Sequence, residues 1–136
     1  MTEAPAGIHP VDGIVNMPSP LSVLDTAERL ATLIGAAGAT LFGVIDQSAE
    51  AEQAGLSLRE TRLVIFGNPA AGTPVMVASP LAALDLPLKI LVWQDDDGAV
   101  WMSYPDPGWL AERHGLTGSL AATLTAPAAL TARVAD

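Results

Sequence analysis

Few residues in this 136-residue chain could do chemistry. Gly67-Asn68-Pro69-Ala70-Ala71-Gly72-Thr73-Pro74 is a glycine-bearing loop between a β-forming run and a helical piece. Backbone N–H groups at a helix start can hold an anion. The P-loop pattern requires Gly-Lys-Ser/Thr at its end, and no lysine stands there; the dinucleotide glycine pattern is absent too. The plainer role is structural, with Asn68 and Thr73 tying the loop by side-chain to backbone bonds. Asn68, Gly72 and Thr73 are still the best small-ligand candidates. Lys89, the sole lysine, has three readings. It can snorkel from a strand to a sheet edge, pair with Asp46 or another carboxylate, or bind an anion. A catalytic role would require desolvation to lower its pKa. An enzyme or ligand sensor would place the loop, Lys89, Asp46 and Tyr104 around one pocket.

The remaining motifs are weaker. His9 lies in a leader. His114 falls in the last turn of a helix, where a cation meets the dipole favourably. Zinc sites use three or four protein ligands with histidine or cysteine among them, so no metal and no cofactor are expected. Asp95-Asp96-Asp97-Gly98 looks like a calcium loop but lacks the alternating ligands and the terminal glutamate. It reads as a solvated turn. With no Ser-His-Asp set, the balance leans against an enzyme.

The charge balance narrows the partners. Fifteen acidic and six basic residues give a net charge of −9. Nucleic-acid and anionic membrane surfaces call for clustered Lys and Arg, and here the arginines are scattered. Cysteine is absent, which fits a reducing compartment, so a cytoplasmic location is expected. Met1 to Gly7 has neither the basic start nor the apolar run of a signal peptide. The uncharged stretches Leu63 to Leu84 and Gly115 to Ala132 are broken by proline and glycine or rich in Ala and Thr, and neither reads as a spanning helix.

The elements that must position these residues form one α+β domain. Residues 1–12 read as a flexible leader, 13–116 as the domain, and 117–136 as an Ala/Thr-rich, part-helical tail. A strand is predicted over Gly13 to Asn16. Ser22 caps a helix whose face is Val23, Ala27, Leu30 and Ile34, and Gly38 ends it. Leu41 to Asp46 is a strand, Gln47 to Ala54 a short helix, and Arg62 to Gly67 a third strand. A helical piece is predicted from Pro74 to about Ala83. Leu88 to Gln94 and Val100 to Tyr104 form a hairpin around a three-residue loop with Gly98 left-handed. Asp106 and Pro107 start a last helix that stops at Gly115. The order is β-α-β4-α, an antiparallel sheet with helices on one face.

Alternation sorts the hairpin into two faces. Ile90, Val92, Met102 and Tyr104 make a core side. Lys89, Leu91, Trp93, Trp101 and Ser103 make the other, with Trp93 directly opposite Trp101. Exposed tryptophans of this kind are usually covered. The tail, a second subunit or a ligand are the candidate covers. A homodimer through Leu91, Trp93, Trp101 and Ser103 is the leading expectation, with a small-molecule ligand as a further partner.

At Gly67-Asn68-Pro69, Gly72-Thr73-Pro74, Leu86-Pro87-Leu88-Lys89 and Tyr104-x-Asp106-Pro107 the sequence resembles the domain-of-unknown-function 302 family. Arg113-His114-Gly115 and Ala54-Gly55-Leu56 extend the match, which covers roughly residues 13–116. The resemblance implies a compact α+β fold related to the TATA-box-binding-protein-like arrangement, and no agreed reaction. A histidine commonly follows the aspartate at the end of the second strand in that family; Gln47 stands there in this chain.

Overall fold

The structure is a computed structural model and describes residues 4–136. Five strands make one antiparallel sheet: β1 (Ile14–Ser19), β2 (Thr40–Asp46), β3 (Thr61–Gly67), β4 (Leu88–Gln94) and β5 (Val100–Pro105), in the spatial order β1-β5-β4-β3-β2. Among the described residues six α-helices accompany them: α1 (Val23–Ala36), α2 (Gln47–Gln53), α3 (Pro69–Ala78), α4 (Pro107–Arg113), α5 (Gly118–Ala122) and α6 (Ala126–Ala132).

Strand β1 runs three residues past its expected end and carries Pro18 opposite Trp101. Proline cannot donate to a ladder, and only an edge position such as β1 accommodates it readily. The hairpin register pairs Val92 with Met102 and Trp93 with Trp101. Asp95 N–H donates to the Ala99 carbonyl and Gly98 has φ +82°, so residues 96–98 form the expected loop.

Helix α1 is capped as its sequence dictates, with Ser22 Oγ accepting from Asp25 N–H at 3.0 Å. Its apolar face, Val23, Ala27, Leu30 and Ile34, joins Val64, Phe66, Ile90, Val92, Met102 and Tyr104 in the main core. The tail enters the same core through Leu130 and Val134. Thus α1 and α6 lie on one face of the sheet, and the tail does not cover the tryptophans. Its pattern explains this: Pro127, Leu130 and Val134 recur every three to four residues, a helical stripe that seeks the largest apolar surface. A second, smaller core of Val75, Ala82, Leu110, Ala111, Leu116 and Leu124 binds α3, α4 and the tail around Leu86 and Leu88.

Two expectations need correction. The segment Pro69 to Thr73 is helical, not a loop. Asn68 is the N-cap, its Oδ1 accepting from Ala70 N–H at 3.0 Å, and Pro69 occupies the first helical position. Pro74 therefore lies inside α3 instead of starting it. The leader is tied to the hairpin at Pro5 and Ala6. Pro5 is buried, Ala6 N–H donates to Asp95 Oδ2 at 2.9 Å, and Asp96 N–H donates to the Ala6 carbonyl at 3.3 Å.

Candidate functional site

A cavity of about 440 Å³ opens where α3, the start of β4 and the tail converge. Asn68, Gly72 and Thr73 line it from α3, as do Leu86, Pro87 and Leu88 from the strand entry. Phe42 and Phe66 close the sheet side, and Leu124, Ala126, Leu130 and Arg133 close the tail side. The bulge between Leu41 and Gly43 leaves Phe42 without a register partner and is the local distortion at that rim. The walls are mostly carbon. The polar exceptions are Asn68, Thr73, Thr123 and Arg133.

Three of the sequence candidates thus meet in one place, and three do not. Asp46 stands at the opposite end of β2 from the cavity. It caps α2 by accepting from Ala49 N–H at 2.9 Å, accepts from Ser48 Oγ at 2.7 Å, and pairs with Arg62 at 3.1 Å. The Ser48 hydroxyl, then the Ala49 amide and the Arg62 guanidinium, hold its carboxyl below the usual carboxylate range. Arg62 rather than Lys89 is its partner, because Asp46 and Arg62 are register neighbours with side chains on one face. Lys89 donates to the Pro87 carbonyl at 2.9 Å. Tyr104 is buried in the main core.

His114 has a partner that its position on the helix does not reveal. Its Nε2 lies 2.5 Å from Asp85 Oδ2, and Arg113 Nε reaches the same oxygen at 3.5 Å. This cluster pins the end of α4 to the turn before β4.

The two hairpin tryptophans are buried within the single chain, with Trp93 7% and Trp101 3% exposed. Trp101 Nε1 donates to Asp95 Oδ2 at 2.8 Å, the oxygen that also accepts from Ala6 in the leader. Trp93 Nε1 donates to Ser103 Oγ at 2.8 Å, and Ser103 donates onward to Asn16 Oδ1 at 2.6 Å. The Arg59 guanidinium lies 6.0 Å from the Trp93 ring centroid. The expected interface through Trp93, Trp101 and Ser103 is therefore already covered from inside. Leu91 differs: it is half-buried, beside Leu63 in the register and near the exposed Ile45.

The tail's share of the cavity is not foreseen from the sequence. Arg133 is its ionic contribution, and the available signal is the spacing of Ala126, Ala129, Leu130 and Arg133, which puts them on one side of a helical turn. Among the described residues, no cluster of three or more His, Cys, Asp or Glu side chains could hold a metal ion. No helix among them is long and apolar enough to cross a membrane.

An α+β domain with an antiparallel sheet and helices packed on it is also the architecture of a solved relative. The crystal structure of an uncharacterized conserved protein DUF302 from Bacillus stearothermophilus superposes with a TM-score of 0.75 at 18% identity, covering 91% of this chain and 96% of that one. The model of the family described as domain of unknown function DUF302 matches residues 15–133, and the chain belongs to that family. The chain is also similar to the fluoride-specific ion channel FluC 1 of Brucella suis biovar 1 (strain 1330), at 44% identity over 104 residues, 76% of this chain and 41% of that protein. The fluoride-specific ion channel FluC 2 of Brucella melitensis biotype 1 shows the same identity over 38% of its length. The chain spans about two fifths of the length of these curated relatives.

Proposed function

We propose that this domain is a binding module that takes a small, largely apolar molecule into the cavity between α3, the start of β4 and the tail. The cavity lining supports this reading. Its volume, about 440 Å³, falls among small-ligand sites of roughly 300–1,000 Å³. Phe42, Phe66, Met76, Leu86, Leu88 and Leu130 offer apolar burial, which is the main source of affinity in such sites. The lining holds no carboxylate, histidine or lysine to move a proton. Binding without turnover therefore suits it better than catalysis. The reading as a ligand sensor keeps Asn68, Gly72 and Thr73 and gives up Lys89, Asp46 and Tyr104. A matching segment accompanies further chain in relatives named as fluoride-specific ion channels, and a ligand-responsive unit attached to another activity is the use this reading assigns.

Calorimetry with decan-1-ol and 1-naphthol tests it against a variant with the cavity filled. A Cβ at Gly72 would meet no heavy atom within 4 Å, so Gly72→Leu adds its side chain from an open position in the cavity lining. The wild type is expected to bind at least one probe, and Gly72→Leu to bind neither while remaining folded. A wild type that takes up neither probe overturns the reading.

Self-association is a second reading, favoured by the outer sheet face. Ile45 is 43% exposed there, and Leu63, Ile65 and Leu91 are only half-buried. A contiguous apolar strip beside an edge strand suits a homodimer contact. Light scattering is expected to give a dimer that Leu91→Glu converts to a monomer. A wild-type monomer at micromolar concentration removes this reading and leaves the cavity untouched.

A further inference from the structure

The charges of this chain are unevenly satisfied, and the imbalance falls at the cavity. Arg59, Arg62 and Arg113 pair with Asp96, Asp46 and Asp85. Arg29 donates to the Asp136 main-chain oxygen, and Lys89 to the Pro87 carbonyl. Arg133 is the remaining cationic side chain among the Lys and Arg residues. Among the described residues, no carboxylate, carbonyl or hydroxyl lies within bonding distance of its guanidinium. In a protein of net charge −9, Arg133 stands exposed at the cavity rim with no anionic partner among the described residues. It is also the one ionic residue that lines the cavity.

Resting on the cavity reading above, we propose that the ligand is an amphiphilic carboxylate. Its apolar body lies against Phe42, Phe66 and Leu130, and its carboxylate faces Arg133. A guanidinium presents a planar fork that matches a carboxylate with two parallel N–H···O bonds. Asn68 is a second donor in the lining. Its Oδ1 is engaged by Ala70 N–H, which leaves the side-chain amide N–H₂ free to donate. The two features have distinct consequences. The carbon walls select an apolar body of any charge. Arg133 adds preference for an anionic head, and the protein's overall negative field opposes that preference unless the contact is local. A medium-chain fatty acid meets both demands. A quaternary ammonium amphiphile of the same length meets only the first.

Calorimetric titration of the full chain with decanoate and decyltrimethylammonium below their micelle concentrations, and with decan-1-ol below its solubility limit, separates these terms. Decanoate is expected to bind at least about tenfold more tightly than decan-1-ol, the gain of a charge-assisted hydrogen bond. The ammonium probe is expected to bind more weakly than either. Arg133→Gln is expected to bring decanoate down to the affinity that the same variant shows for decan-1-ol, and Arg133→Lys to restore part of the difference. Equal binding of decanoate and decan-1-ol by the wild type overturns the carboxylate proposal and leaves the apolar cavity standing. Retention of the preference in Arg133→Gln also overturns it. Failure of every probe removes the cavity reading and this inference together.

Discussion

The indole nitrogen of Trp101 donates to the carboxylate of Asp95 at 2.8 Å. That carboxylate organises the whole end of the hairpin. Its Oδ2 also accepts from Ala6 N–H, and its Oδ1 accepts from Asp97 N–H at 2.9 Å and Ala99 N–H at 3.0 Å. A turn that reads in the sequence as solvated acid is therefore a lock. It closes the loop, satisfies a buried tryptophan and holds down the start of the described chain.

Asp95→Asn keeps the shape of the side chain but removes its charge and one acceptor oxygen. Buried donors left unpaired are costly. The variant is expected to show a lower thermal midpoint, a red-shifted tryptophan emission and faster amide exchange at Ala6. Unchanged exchange at Ala6 would mean that the leader is held by other contacts.

Acid should release this lock. The Ala6 amide, then the Trp101 indole and the Ala99 and Asp97 amides, hold the Asp95 carboxyl below its ordinary range, outweighing the opposing effect of burial. The Asp46 carboxyl is lowered as well, by Ser48 first. A carboxyl lowered on folding stabilises the fold fully above its unfolded pKa, about 3.9 for aspartate. That contribution fades as the pH falls from there through the lower folded value. The urea midpoint is expected to be insensitive to these two groups from pH 7 to about 5, and to fall below about pH 4. The fall is expected to be shallower in Asp95→Asn. Identical acid profiles for the two proteins would mean that Asp95 does not contribute to the acid sensitivity.

Two glycines predict effects of opposite sign. Gly13 has φ +78°, and a Cβ there would stand 2.7 Å from the Trp109 ring. Gly13→Ala is expected to cost at least about 1 kcal/mol from backbone conformation alone, with the ring clash added. Gly35 lies in α1, and a Cβ there meets nothing within 4 Å. Gly35→Ala is expected to gain up to about 1 kcal/mol. Chemical denaturation reads both.

Much of this fold was legible because its patterns are long or doubly marked. The 3.6-residue stripe of α1 and the two-residue alternation of the hairpin each repeat often enough to fix a face. Ile90, Val92, Met102 and Tyr104 accordingly lie in the core. The start of α3 was misplaced because two prolines compete for one role. Pro74 has the look of a first helical residue, yet Asn68 and Pro69 already supply cap and start. The candidate site was half legible. Asn68, Gly72 and Thr73 share a local segment, whereas Phe42, Leu86 and Arg133 reach the cavity from distant parts of the chain. Lys89 and Asp46 attracted attention through their charge, but their side chains are engaged elsewhere. Nothing in local spacing shows which of six cations will be left without a partner.

The two faces of the hairpin can be compared in one experiment. Ile90 is fully buried, and Leu91 beside it is half-buried on the opposite side. Ile90→Ala is expected to lower stability by about 2–5 kcal/mol, and Leu91→Ala by distinctly less. Equal losses would mean that the outer face is as well packed as the inner one.

The proposed binding of an apolar ligand in the cavity beneath α3 has a direct test. Amide chemical-shift mapping during titration with decan-1-ol tests it residue by residue. The largest shifts are expected at Gly67 to Thr73, at Leu86 to Leu88 and at Leu124 to Arg133, with Trp93 and Trp101 little changed. Shifts centred on the tryptophan face, or none at the cavity at saturating probe, would contradict it.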